Sequence, residues 1–195
     1  MKNFLFLLLA AASLSGCTLP AQLKSSETVH YYILSSPMPQ KLFSGKTAIG
    51  ILPVSLPGYL SRQQIVLREA DGVSIKVHEF DRWGENLSQG IGRVLSDTLT
   101  SRGIPALALH AGTKVTDKLL VDIRKFDGPL KGSLMFDAVW RIQRNGEVVT
   151  SGHIVKSSPA GESIAAMVEA QSLLIQELAS DIAGTLQRGY TSRSL

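Results

Sequence analysis

The chain holds one cysteine in 195 residues. No disulfide can form within a single copy, so the fold must be held by packing. Aromatic residues make up 6% and charged residues 18%. No run of Lys or Arg exceeds two residues, so the clustered basic footprint of a nucleic-acid binder is missing. His30, His78, His110 and His153 are scattered, and no His-x-His, His-x-x-x-His or Cys-x-x-Cys spacing marks a metal site. There is no Gly-x-Ser-x-Gly elbow and no phosphate-binding lysine loop. After Ala12 no apolar stretch approaches the roughly 20 residues that cross a bilayer as a helix. These residues give no reason to expect a catalytic group, a metal or a cofactor, and no nucleic-acid partner.

What is present begins at the N-terminus. Lys2, the apolar run Phe4 to Ala12 and the small residues before Cys17 have the order of a secretory signal peptide. Leu14-Ser15-Gly16-Cys17 resembles a bacterial lipobox. There the Cys thiol takes a diacylglycerol, the chain is cut before it, and further acylation, such as by palmitate, completes the anchor. The lone Cys stands at the one position that the lipobox requires. Residues 1–16 are therefore expected to be removed, and Cys17 is the expected lipidation site. Asp after such a Cys marks inner-membrane retention in Gram-negative lipoproteins. Thr18 stands there instead, which points to the outer membrane and its periplasmic face.

Residues 17–28 read as the lipidated N-terminus and a tether, 29–188 as a single domain, and 189–195 as a flexible tail. Thr28 to Leu34 is β-branched and aromatic, which predicts a strand. Thr47 to Val54 is apolar on both faces, which predicts a central strand. Gln63 to Glu69 and Val73 to Glu79 flank Asp71-Gly72, a hairpin signal. Asp81 is the expected cap of a helix running to about Arg102, with Gly90 and Gly92 allowing close packing on the sheet. Trp83 is expected to pack at the start of that helix. Lys118 to Phe126 predicts another strand. Leu134, Phe136, Ala138, Trp140 and Ile142 alternate with polar neighbours, so this set should be buried. Asn145-Gly146 turns the chain into Glu147 to Lys156. A long helix follows from about Gly161 to Gln187, with Ile164, Val168, Ile175, Leu178, Ile182 and Leu186 on one face. The resulting fold class is α/β (α+β): a mixed, mostly antiparallel sheet with two main helices packed on one face.

Two groups of residues stand out as candidate sites. His153 lies in a strand near Ser151, but a solvated or hydrogen-bonded strand histidine is the plainer reading. Leu56, Tyr59, Leu60 and Arg62 surround the Pro57-Gly58 turn. These side chains are either a partner or oligomer interface or a plug folded back on the core.

One family resemblance covers nearly the whole chain after the lipobox. It is carried by Leu14 to Cys17, Tyr31-Tyr32-Ile33-Leu34, Ile51-Leu52-Pro53-Val54 and Pro57-Gly58-Tyr59-Leu60. It continues through Arg62, Gln64-Ile65-Val66 and Arg82-Trp83-Gly84-Glu85-Asn86-Leu87. In these pieces the chain resembles the ABC-type transport auxiliary lipoproteins, in particular their PqiC (YmbA) group. The resemblance implies a non-enzymatic outer-membrane lipoprotein of an MCE-type intermembrane lipid-transport system. Its implied partners are a PqiB-like MCE protein that spans the periplasm and a PqiA-like membrane protein. Membrane lipid is contacted through the N-terminal anchor, and a homo-oligomeric ring would match the ring form of MCE proteins. An envelope hydrolase with a spatially assembled site and a purely structural lipoprotein are the alternatives.

Overall fold

The computed structural model describes residues 27–38, 48–109 and 115–191, and the side chains of 189–191 are not described. The signal peptide, Cys17 and most of the tether lie outside these residues.

The strands separate into two sheets. One has three strands: β1 (His30–Tyr32) runs parallel to β4 (Ile75–Trp83), which pairs antiparallel with β3 (Gln64–Arg68). The other has five in the order β5-β2-β6-β7-β8. They are β2 (Ile49–Ile51), β5 (Ala106–Ala108), β6 (Asp117–Asp127), β7 (Ser133–Arg144) and β8 (Glu147–Pro159). β2 lies between β5 and β6, parallel to both, so the expected central placement holds over a shorter stretch. β6, β7 and β8 form an antiparallel meander. At the β7–β8 turn Asn145 and Gly146 have φ of 54° and 91°. That left-handed pair is what a tight hairpin turn demands and what Asn-Gly supplies at low steric cost.

The alternation in β7 is realised in full. Leu134, Phe136, Ala138, Trp140 and Ile142 are all buried, facing the helices, as are Leu119, Val121 and Ile123 of β6. Helix α1 (Leu87–Ser101) and helix α2 (Ile164–Thr191) pack on one another and on this sheet. α2 buries Ile164, Val168, Ile175, Leu178 and Ile182, and Leu186 is partly buried. Its helix continues past Gln187 to Thr191, so the first residues of the expected tail are helical.

Asp81 does not cap a helix. β4 runs on through Asp81 to Trp83 because β1 pairs with it there, His30 opposite Asp81 and Tyr32 opposite Trp83. Asn86 is the cap instead, its side-chain oxygen accepting the Ser88 N–H at 3.0 Å. Trp83 is buried at the strand's end, three residues before that cap. Gly92 meets β5 as expected, since a Cβ there would lie 3.9 Å from that of Ala108. Gly90 faces the Glu85 side chain rather than the sheet. Short β5 follows the Gly103-Ile104-Pro105 turn, where the sequence gives no strand pattern.

Candidate partner-docking segment

After β2 the chain rides along β6. The Leu52 and Ser55 N–H groups donate to the Leu119 and Val121 carbonyls, each at 3.0 Å, and Ile123 N–H donates back to Ser55 O at 3.0 Å. Pro57 cannot continue that ladder. The chain turns into a single 3-10 turn, Gly58–Leu60, closed by Leu60 N–H to Pro57 O at 2.9 Å.

The turn aims its side chains in different directions. Leu60 is buried at 5% exposure. Leu56 and Tyr59 are partly buried against the core. Arg62 is exposed. Of the four residues in the candidate interface, Leu60 is therefore not a surface anchor; it belongs to the plug. The surface offered here is Gly58, the outer edges of Leu56 and Tyr59, and Arg62. Arg62 also borders a hollow of about 330 Å³ shared with Gln63, Trp83, Gly84 and Glu85.

Tyr59 is fixed from behind by a cluster that the sequence does not announce. Its hydroxyl donates to Asp127 Oδ2. Arg68 Nε donates to Asp127 Oδ1 at 2.9 Å and its Nη2 to Oδ2 at 3.0 Å, a bidentate pair. The same Nη2 reaches the Tyr59 hydroxyl at 3.1 Å, and the guanidinium carbon lies 5.4 Å from the Tyr59 ring centroid. Asp127 is 1% exposed and Arg68 27%. Burial, reinforced by the Asp127 carboxylate, pushes the Tyr59 hydroxyl up to about 12. The hydrogen bond to Asp127 raises the Arg68 guanidinium further above its ordinary value. The turn is thus held from two sides, by Leu60 in the core and by the Tyr59 hydroxyl on the Arg68–Asp127 ion pair.

The other singled-out groups have structural partners. His153 Nε2 lies 2.8 Å from Asp137 Oδ1, half exposed on the outer face of the sheet, and makes no bond to Ser151. Asp81 accepts from the Tyr32 hydroxyl at 3.1 Å and faces Nδ1 of His78 at 3.2 Å and of His30 at 3.6 Å. Register alone brings these groups together, and their positions 30, 32, 78 and 81 show no motif. Among the described residues no cluster of His, Cys, Asp and Glu could hold a metal ion, and no helix is long and apolar enough to cross a membrane. A cavity of about 630 Å³ lies between α1 and the ends of β2 and β5, lined by Ile51, Pro53, Arg93, Asp97, Leu107 and Leu109.

Residues 32–183 match the family model described as ABC-type transport auxiliary lipoprotein component. The chain belongs to that family, in keeping with the PqiC (YmbA) group that its motifs resemble. No curated protein matches it by sequence. Among the solved structures that share the fold are two that cover most of this chain. One, of an uncharacterized protein, has a TM-score of 0.69 at 20% identity and covers 82% of this chain and 99% of its own. The other, a Xanthomonas campestris protein of family DUF330, has a TM-score of 0.61 at 15% identity, covering 86% and 99%.

Proposed function

We propose that this auxiliary lipoprotein serves an MCE-type intermembrane lipid-transport system. Lipidated at Cys17, it sits on the periplasmic face of the outer membrane and docks a PqiB-like MCE protein that spans the periplasm. A PqiA-like membrane protein completes the system. The protein acts by binding, with no catalytic step of its own. The observation that carries this reading is the family match across residues 32–183. The docking segment is the rigid turn around Tyr59, presenting Leu56, Tyr59 and Arg62 around Pro57-Gly58, with Leu60 as its root in the core. A turn fixed before contact loses little entropy on docking. Several copies arranged as a ring would offer this turn repeatedly to a symmetric partner.

The test is capture of the full-length lipidated protein from envelope extracts. Co-purification of an MCE protein is the expected result. Capture of an ABC transporter without any MCE protein would assign the protein to another system in its family. Capture of neither would contradict the reading.

A further inference from the structure

Tyr31 and Ile33 are alternate residues at β1 and just beyond it. Both stand clear of the core, at 66% and 62% exposure. They share one face: a Cβ placed on Gly84 would lie 3.0 Å from Ile33 Cγ2 and 3.9 Å from Tyr31 Cβ. Arg82 is the register partner of Tyr31 and therefore lies on that face too. Its Nε donates to Glu79 O at 3.1 Å, and its Nη groups make no hydrogen bond among the described residues. β1 is the outer strand of its sheet, so among the described residues no further strand extends the sheet at this corner.

The chain itself says where this corner must be. Nine residues, 18–26, separate Cys17 from Glu27. Extended chain covers at most about 3.3–3.6 Å per residue, so β1 cannot stand further than about 45 Å from Cys17. An apolar and aromatic face with a cation is thus held at high effective concentration next to whatever surface carries the acyl chains.

We propose that the face formed by Tyr31, Ile33 and Arg82 docks on the bilayer that holds the lipid anchor. The proposal rests on lipidation at Cys17. Tyr31 and Ile33 lie at headgroup level, where an amphipathic phenol ring is favoured over both water and hydrocarbon. The Arg82 guanidinium meets lipid phosphates, which its planar donors fit. Acyl chains on one cysteine fix the attachment but not the orientation, and a second apolar and cationic contact fixes the orientation. A protein surface in this position would not explain why the patch lies at the root of the tether. The orientation has a consequence for docking. The hollow beside Gly84 also touches Arg62, so the membrane face adjoins the partner segment. A conduit docked there would open at the bilayer surface.

The experiment uses the full-length lipoprotein, with acylation of Cys17 first verified by mass. Acylation consumes the only thiol, so Ile33→Cys gives a unique site for an environment-sensitive fluorophore. Val155→Cys on β8, at 58% exposure, gives a reference site. The proteins are placed in phosphatidylethanolamine–phosphatidylglycerol vesicles at less than one copy per vesicle. The label at 33 should shift to the blue, brighten severalfold and be quenched by spin-labelled lipid, while the label at 155 does neither. Arg82→Gln should reduce the shift at 33. An acylated protein whose label at 33 stays in water overturns the proposal and leaves the anchor standing. An unmodified Cys17 overturns both together. Shielding at 33 that appears only when copies are crowded shows contact between copies and also overturns it. An unchanged shift in Arg82→Gln overturns the phosphate contact.

Discussion

Arg68 and Asp127 join the two sheets of this protein through a bidentate ion pair, Nε to Oδ1 at 2.9 Å and Nη2 to Oδ2 at 3.0 Å. Arg68 ends β3 of the small sheet and Asp127 ends β6 of the large one. Tyr59 closes the cluster, so the same pair that ties the sheets also holds the Gly58–Leu60 turn. Removing one member of a buried pair leaves the other without compensation, typically at about 3–5 kcal/mol. Asp127→Ala should therefore cost roughly that much in urea unfolding, with Arg68 partly rescued by water at its exposed edge. A midpoint equal to that of the unaltered protein would remove this pair from the account.

The Tyr59 hydroxyl gives the cluster a pH signature. Its folded-state value is raised to about 12 from an ordinary 10.0. A group that holds its proton more tightly when folded stabilises the fold fully below the unfolded value and loses that contribution as pH rises through the folded one. The stability difference between the unaltered protein and Tyr59→Phe should thus be constant up to about pH 9 and shrink from pH 10 toward pH 12. Denaturation midpoints of both proteins across that range make the comparison. A difference that grows with pH would reverse the sign and contradict the cluster as described.

Trp140 is packed against the backbone of the neighbouring strand. A Cβ on Gly152 would lie 2.7 Å from its Cε2, Cζ2 and Nε1 atoms, and Gly152 is its register partner on β8. Trp140→Ala should cost about 3–5 kcal/mol, the usual loss for a large buried aromatic. Gly152→Val should also destabilise, because the indole cannot move away from backbone without disturbing the core. Circular dichroism melts of both variants check this. A neutral Gly152→Val would mean the indole sits elsewhere.

Much of this fold is legible in the sequence, and the part that is not has an identifiable cause. The alternation from Leu134 to Ile142, the Asn145-Gly146 turn and the apolar face of α2 are local patterns, and each appears where its residues place it. The start of α1 is misread because Asp81 has two good uses. Its type and position suit a helix cap, but pairing of β4 with His30–Tyr32 extends the strand through it. Nothing near Asp81 in the chain reports that distant partner. β5 has only three residues and owes its strand form to β2. The candidate turn is legible as odd, with apolar groups around Pro57-Gly58. Its internal arrangement depends on Asp127, 68 residues from Tyr59, and no local pattern links such positions.

Lipidation at Cys17 is tested by the mass of the mature protein. The expected chain begins at Cys17 and carries acyl groups. Cys17→Ser should abolish the modification and leave the protein unprocessed or unanchored, since a hydroxyl does not replace the thiolate as the lipid acceptor. A mature N-terminus elsewhere, or an unmodified Cys17, would contradict the anchor.

Arg62 is the cleanest probe of docking. It is exposed, whereas Leu60 is buried and Tyr59 is bonded to Asp127, so changes at 59 or 60 mix stability with binding. Arg62→Glu should leave stability within about 0.5 kcal/mol, as for most surface substitutions, and weaken capture of the MCE protein. A lost fold in Arg62→Glu, or unchanged capture, would remove Arg62 from the interface.

The central claim is that the turn around Tyr59 touches an MCE protein in the envelope. It is tested most directly by placing a photo-crosslinking amino acid at position 62 of the full-length lipoprotein and irradiating intact cells. The expected result is a crosslinked species that contains an MCE protein, absent when the same amino acid replaces Val155 on β8. Crosslinks from position 62 only to lipid, only to other copies of this chain, or equally from both positions would contradict it.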